Sequence, residues 1–201
     1  MRDKLVILGA GGHGRICAEI ASMNGYEEIV FLDDAEPSGA AVAGRVSDLE
    51  KYVSDHDVFV AIGNNAVRGA LFRSAGAAGA EFATLIHPSA VISPSAAIGE
   101  GTVIVAGAVV NCGAEIGKGV IVNTCASVDH DCRIGDFTHV SVGARVAGMS
   151  CVGEGVFIGA GAVVINNVTV CEDCVIGAGA AVVRDVTESG TYVGVPAKRI
   201  K

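Results

Sequence analysis

Five consecutive residues near the middle of the chain, Val128-Asp129-His130-Asp131-Cys132, set a histidine between two carboxylates, and a second histidine, His139, follows Phe137-Thr138. With an ordinary pKa near 6.5, an imidazole takes up and returns protons around neutrality. Taken singly, such a histidine reads as a solvated surface side chain. A second constellation lies near the N-terminus. Gly9-Ala10-Gly11-Gly12-His13-Gly14 has the G-x-G-x-x-G spacing, whose glycines let the backbone approach a pyrophosphate at a helix N-terminus. Asp33 and Asp34 follow about 20 residues later, where an acidic side chain commonly meets a ribose hydroxyl. Gly63-Asn64-Asn65 is a third polar loop. A tight strand-to-helix turn also explains a lone glycine motif; the Asp pair and the Gly-Asn-Asn loop favour a nucleotide.

These residues need elements to hold them. Lys4 to Leu8 reads as a strand, the glycines as a turn, Arg15 to Met23 as a helix and Ile29 to Leu32 as a second strand, which makes a βαβ unit. A third strand, Val58 to Ile62, runs into Gly63, and a helix through Ala66 to Ala75 follows. The polar loops then sit at the carboxyl ends of the strands, where open α/β sheets bind ligands. About 80 residues is half of a full dinucleotide fold, so one nucleotide is favoured over a whole nicotinamide cofactor.

From Ile86 to Val182 every sixth residue is Ile or Val without exception. A fixed hexapeptide period marks a β-helix. Each hexad is one short strand plus a turn, three hexads close a triangular coil, and stacked coils bury a ladder of inward β-branched side chains. Four residues after each Ile or Val comes a mostly small residue, such as Ala108, Ala126, Cys132 or Ser150, to fill the corners. Gly99, Gly117, Gly135, Gly153, Gly159 and Gly177 follow the Ile or Val directly, where a turn favours a residue free of Cβ constraints. In this frame His130 occupies the third position of its hexad and points out of the coil.

Composition narrows the partners. A formal net charge of −8 disfavours nucleic acid, which demands a basic surface. Apolar runs such as Val103 to Val110 fall short of the roughly 18 residues that a membrane-spanning helix needs, so no membrane segment is expected. Seven cysteines and no secretory pattern at the N-terminus argue for reduced thiols and a cytoplasmic location. Trp is absent, aromatic residues make up 4% and Gly reaches 28, which suits flat, repetitive packing of small and β-branched side chains.

Hexads such as Ile98-Gly99-Glu100-Gly101-Thr102-Val103 resemble those of the left-handed β-helix acyltransferases. The left hand is implied by that resemblance, since parallel crossovers are usually right-handed. Gly11-Gly12-His13-Gly14, Phe31-Leu32-Asp33-Asp34, Ile62-Gly63-Asn64-Asn65, Val128 to Cys132, Phe137 to Val142 and Gly194 to Arg199 together resemble the sugar-nucleotide N-acetyltransferases of the sialic-acid O-acetyltransferase-like family, most of all its bacillosamine-pathway branch. The resemblance covers nearly the whole chain. It implies an α/β, Rossmann-like sugar-nucleotide-binding domain over residues 1–83 and a left-handed parallel β-helix acetyltransferase domain with a C-terminal tail over 84–201.

It further implies transfer of acetyl from acetyl-CoA to the 4-amino group of a nucleotide-linked, UDP-type 4-amino-4,6-dideoxy sugar. His130 matches the general base, and Asp131 the carboxylate, Glu in some relatives, that orients the imidazole. His139, Ala160 and Ala178 match positions that contact acetyl-CoA. Gly11, Gly12 and His13 match the sugar-nucleotide loop, with Gly11 standing where the family also admits Ser. Asp33 and Asp34 match contacts to base and ribose, and Gly63 and Asn64 complete the substrate site. The basic tail Lys198-Arg199-Ile200-Lys201 falls where the anionic coenzyme would lie. Family members form homotrimers with active sites between subunits. Counting in hexads puts Ala160 and Ala178 on one edge and His130 on another, so a neighbouring subunit must close the site.

Other readings stay open. A zinc hydratase on this helix needs three histidine ligands. Of His13, His56, His87, His130 and His139, only the last two lie in the coils. No metal is expected. Cys171-Glu172-Asp173-Cys174 has no second Cys-x-x-Cys to complete a thiolate site. O-acetylation of a sialic acid, or a non-catalytic trimeric nucleotide-binding scaffold, would use the same architecture.

Overall fold

The computed structural model describes residues 2–35 and 41–201, which fall into two compact units, residues 1–88 and 89–201. In the first unit, strands β1 (Lys4–Leu8), β2 (Glu28–Leu32), β3 (Val42–Gly44) and β4 (Asp57–Val60) form a parallel sheet in the order β3-β2-β1-β4. Leu5, Val6, Ile7 and Leu8 are all buried, as a parallel strand covered on both faces requires. Helix α1 (Gly12–Met23) buries Gly14, Cys17, Ile20 and Ala21, a stripe with helical spacing. It begins earlier than its apolar pattern suggests, so Gly12 and Gly14 belong to its first turn. Helix α2 (Asn65–Ala77) buries Arg68, Gly69, Phe72 and Ala75, and Phe72 stacks on Phe82 with ring centroids 3.6 Å apart. Strand β3 and a 3₁₀ turn at Val46–Lys51 have no apolar run to announce them.

The second unit is a parallel β-helix. Each Ile or Val of the six-residue series from Ile92 to Val182 is the second residue of a two-residue strand, and Ile86, in the first unit, ends such a strand as well. Strands 18 residues apart pair in parallel: Glu115 with Arg133, Ser127 with Arg145, His139 with Phe157. Three flat faces result. One carries Ser127–Val128, one Arg133–Ile134 and one His139–Val140.

From Ile104 onward the inward Ile and Val side chains are buried, and the corner residues Ala108, Ala126, Cys132 and Ala144 have no exposure. Where the corner residue carries a hydroxyl, it joins successive coils. Thr138 Oγ1 donates to Gly153 O (2.7 Å) and accepts from Val156 N (3.2 Å). Thr102 and Ser150 repeat this pattern, so these buried hydroxyls are satisfied.

The glycines directly after the Ile or Val are there for a reason other than turn conformation. A Cβ on Gly117 or Gly135 would stand 2.8 or 2.5 Å from a backbone nitrogen of the next coil. Close stacking excludes the side chain at these positions. The left-handed turn residue comes two positions later, as at Gly107 (φ 68°) and, without a glycine, at Asp131 (φ 57°).

Candidate functional site

The turn after strand Ser127–Val128 is His130-Asp131. Asp131 Oδ2 lies 2.9 Å from His130 Nδ1. An ionised carboxylate only accepts, so Nδ1 carries the proton in this contact and Nε2 is left as the acceptor. The short Asp side chain reaches the imidazole because the left-handed backbone at Asp131 folds it back along the turn. Behind the pair, Asp129 Oδ1 accepts from His130 N (2.7 Å) and from Asn111 Nδ2 of the preceding coil (2.7 Å). Those two hydrogen bonds, Asn111 first, hold the Asp129 carboxyl below its ordinary range. The hydrogen bond to Asp131 raises the His130 pKa above its usual value; desolvation opposes it, and the nearby charges of Asp129 and Asp131 add to it. The side chains of His130 and Asp131 are 45% and 63% exposed, so the pair is open to a reactant.

His139 lies on the next face but one. It is buried, with Nε2 3.1 Å from Asn123 Nδ2 and its ring edge-on to Phe157 at 5.2 Å. Ala160 and Ala178 are both exposed and stacked at one corner, where Gly179 N donates to Ala160 O (2.9 Å). That corner adjoins the face of His139. His130 and Asp131 stand at a different corner of the same prism, so one chain brings together each pair but not the two pairs. The C-terminal tail is ordered: Lys198–Arg199 pairs antiparallel with Thr191–Val193, and Arg199 meets Glu188 at 3.1 Å.

In the first unit, Gly11, Gly12, His13, Asp33, Asp34, Gly63 and Asn64 gather at the carboxyl ends of β1, β2 and β4. The glycines divide into two kinds. A Cβ on Gly14 would overlap Gly9 O, and one on Gly9 would stand 2.9 Å from Ala61 O, so these two serve close packing. Gly11, Gly12 and Gly63 have no atom within 4 Å of a Cβ position, which leaves open space over the helix N-termini.

Asp33 holds this loop in shape: Oδ2 accepts from Ala10 N (2.7 Å) and Oδ1 from Ala35 N (2.9 Å). Asp34 is exposed, with Oδ1 3.2 Å from Val46 N. Asn64 caps α2 by accepting from Val67 N (3.0 Å). Burial, and then the charge of Arg68, push the His13 pKa down to about 4, so this imidazole is neutral at pH 7.

Arg68 is a residue that sequence reasoning passed over. It is 1% exposed, and its guanidinium donates to Ile62 O (2.8 Å), Gly63 O (3.3 Å) and Asn65 Oδ1 (2.9 Å). Burial lowers its pKa to about 10, still far above neutrality, so a buried positive charge sits directly behind the Gly63-Asn64 loop. Among the described residues no group of three or more His, Cys, Asp or Glu side chains is placed to hold a metal ion. Among those residues, too, no helix is long and apolar enough to cross a membrane.

Comparison with known proteins decides the family. Residues 4–75 match the PglD N-terminal domain, and residues 152–184 match the six-repeat bacterial transferase hexapeptide. The acetyltransferase domain of PglB from Neisseria gonorrhoeae, solved in complex with acetyl coenzyme A, is 43% identical with a TM-score of 0.95, over 100% of both chains. The chain belongs to the sugar-nucleotide N-acetyltransferases of the left-handed β-helix class.

Within this family, a histidine-to-alanine variant of GDP-perosamine N-acetyltransferase from Caulobacter crescentus, solved with CoA and GDP-perosamine, is 39% identical with a TM-score of 0.93, over 98% of this chain and 97% of that one. UDP-N-acetylbacillosamine N-acetyltransferase from Bacillus subtilis is 38% identical over 110 residues. That match spans 51% of this chain and 51% of the Bacillus protein, so the chain covers about half the length of this curated relative.

Proposed function

We propose that the chain transfers the acetyl group of acetyl-CoA to the 4-amino group of a UDP-linked 4-amino-4,6-dideoxy sugar, with His130 as general base. The observation that carries this reading is the 2.9 Å contact between His130 Nδ1 and Asp131 Oδ2, which leaves Nε2 basic on an open corner. As the sugar amine attacks the thioester carbonyl, the C–N bond forms and Nε2 takes the proton that the nitrogen sheds. The C–S bond then breaks, and the imidazolium returns that proton to the departing CoA thiolate. Asp131 remains ionised throughout and stabilises the imidazolium.

The amides around Gly11, Gly12 and Gly63 receive the diphosphate, where open space meets two helix N-termini and the buried charge of Arg68. His13 packs beside it uncharged. Asp33 keeps the loop in shape while Asp34, the more exposed carboxylate, meets the ribose. His139, Ala160 and Ala178 line the coenzyme. Because the His130 corner and the Ala160 corner belong to different edges, the active site lies between neighbouring subunits of a homotrimer. The reaction belongs to the cytoplasm, the compartment of acetyl-CoA and nucleotide-linked sugars.

UDP follows the name of the Bacillus relative; the Caulobacter structure holds a GDP-linked sugar. Purified protein mixed with acetyl-CoA and the UDP-linked or the GDP-linked amino sugar should release free thiol, faster with UDP. His130→Ala should lower kcat by about 10²–10⁴-fold, the usual worth of a general base, and leave nucleotide affinity unchanged. Absence of thiol release with every amino-sugar nucleotide tried would sink the assignment. Sedimentation at the mass of one chain, with activity retained, would remove the intersubunit site.

A further inference from the structure

We infer that Gly148 is a positioning residue for the acetyl-transfer base: it lacks a side chain so that the imidazole of His130 can lie against the next coil. This rests on the reading of His130 as base. Gly148 is 18 residues after His130 and stacks on it, with Met149 N donating to His130 O at 2.9 Å. A Cβ built on Gly148 would stand 2.5 Å from His130 Nε2, 2.7 Å from Cε1 and 3.0 Å from Cδ2. All three of these atoms belong to the imidazole. At Gly99, Gly117, Gly135 and Gly153, by contrast, the nearest atoms include backbone of the adjoining coil.

The backbone does not call for a glycine here. Gly148 has no left-handed φ, and the same third position of other hexads holds Glu100, Cys112, Lys118, Thr124 or Asn166. From Pro88 to Arg184, Gly148 is the one glycine in that position, and it falls on the coil directly above His130. The ring is therefore bounded on two sides. Asp131 Oδ2 holds Nδ1 at 2.9 Å, and the space that a side chain at Gly148 would fill lies against the ring at Nε2, Cε1 and Cδ2. A methyl group at Gly148 would swing the ring off Asp131 and carry Nε2 away from the incoming amine; the three atoms nearest to it all belong to the imidazole, a side chain 45% exposed that can turn aside, so the strain falls first on the ring.

The test is Gly148→Ala in the full chain, alone and combined with His130→Ala. Alone, it should lower kcat by about 10²-fold, the cost of displacing a catalytic group by about 1 Å. KM for both substrates and the thermal midpoint should stay close to wild type. The acid limb of the kcat/KM profile should move to lower pH as the imidazole loses Asp131. Added to His130→Ala, the same change should cost nothing further, since its effect passes through the imidazole.

A Gly148→Ala enzyme with wild-type kcat overturns the inference, as does an equal loss in the His130→Ala background or a collapse of the thermal midpoint. Full activity in His130→Ala alone would instead dismiss the base itself. That result is distinct from a silent Gly148→Ala beside a crippled His130→Ala.

Discussion

In the β-helix every structural position is revisited each 18 residues, so one solution is used many times. Thr102, Thr138 and Ser150 all tie coil to coil with the same two hydrogen bonds. In the α/β unit each solution occurs once: one carboxylate, Asp33, ties the glycine loop to the end of β2, and one guanidinium, Arg68, ties the β4 loop to α2. Chemistry is placed differently as a result. The coil carries its proposed reactive pair, His130-Asp131, at outward turn positions of an unbroken ladder, and what departs from the pattern is the column of third positions, where Gly148 stands above the histidine. The α/β unit spends dedicated side chains on shaping an open ligand loop. A repeat therefore shows its function as a departure from its own pattern, whereas a one-off fold shows it in contacts that have no counterpart elsewhere in the chain.

The largest effect that tests this contrast is a cavity in the ladder. Ile158 is fully buried between Val140 and Ile176, the strand neighbours on either side. Ile158→Ala should destabilise the protein by about 2–5 kcal/mol, the range for deleting a buried isoleucine side chain. Ile92, near the start of the coils, is only partly buried, and Ile92→Ala should cost clearly less. Denaturant unfolding of the two variants measures the difference. Equal costs would mean that the stacked ladder is not what holds the coils.

That ladder was legible in the sequence because its signal is a period, and a period needs no knowledge of partners. The corner residues and the outward setting of His130 followed from the same count. Gly148 was within reach of it too: it is the odd residue in its column, 18 positions from the histidine, but its meaning depends on where the imidazole ring points. The α/β unit was legible in its three longer strands and two helices, where apolar runs and helical stripes are strong. Strand β3 was not, since Val42-Ala43-Gly44 is too short to carry a pattern. Arg68 was hidden for a different reason. An arginine on a helix reads as solvated, and its burial comes from α2 packing over β4 and from three acceptors supplied by one loop.

A smaller effect tests the one-off side of the comparison. Arg68→Met keeps the length and apolar stem of the side chain but leaves Ile62 O and Gly63 O without their donor. An unsatisfied buried acceptor costs about 1–3 kcal/mol. Stability should fall by that order, and nucleotide affinity should weaken as the loop loosens and the buried charge disappears. Affinity for acetyl-CoA, whose proposed contacts lie in the coils, should hold. Isothermal titration with each ligand separates the two outcomes. Equal weakening of both would show that the unit does not confine its lesions.

The mildest test sets the two histidines against each other by pH. His13, held near 4 by burial and then by Arg68, is neutral in the folded protein, while the unfolded chain takes up a proton as pH falls below about 6.5. Its contribution to stability is therefore complete above that value and declines toward pH 4. His13→Asn should flatten this part of the stability profile, read from denaturation midpoints between pH 7.5 and 5. His130 moves the opposite way, because Asp131 favours its protonated form. A base must be unprotonated, so kcat/KM should fall as pH drops through a value above the ordinary histidine range. Asp131→Asn removes the carboxylate, and the acid limb should shift to lower pH with little change in stability, since the pair is exposed. A limb that stays in place in Asp131→Asn, or moves instead in His13→Asn, would assign the titrating base to the wrong unit and undo the contrast between a histidine buried for shape and one exposed for proton transfer.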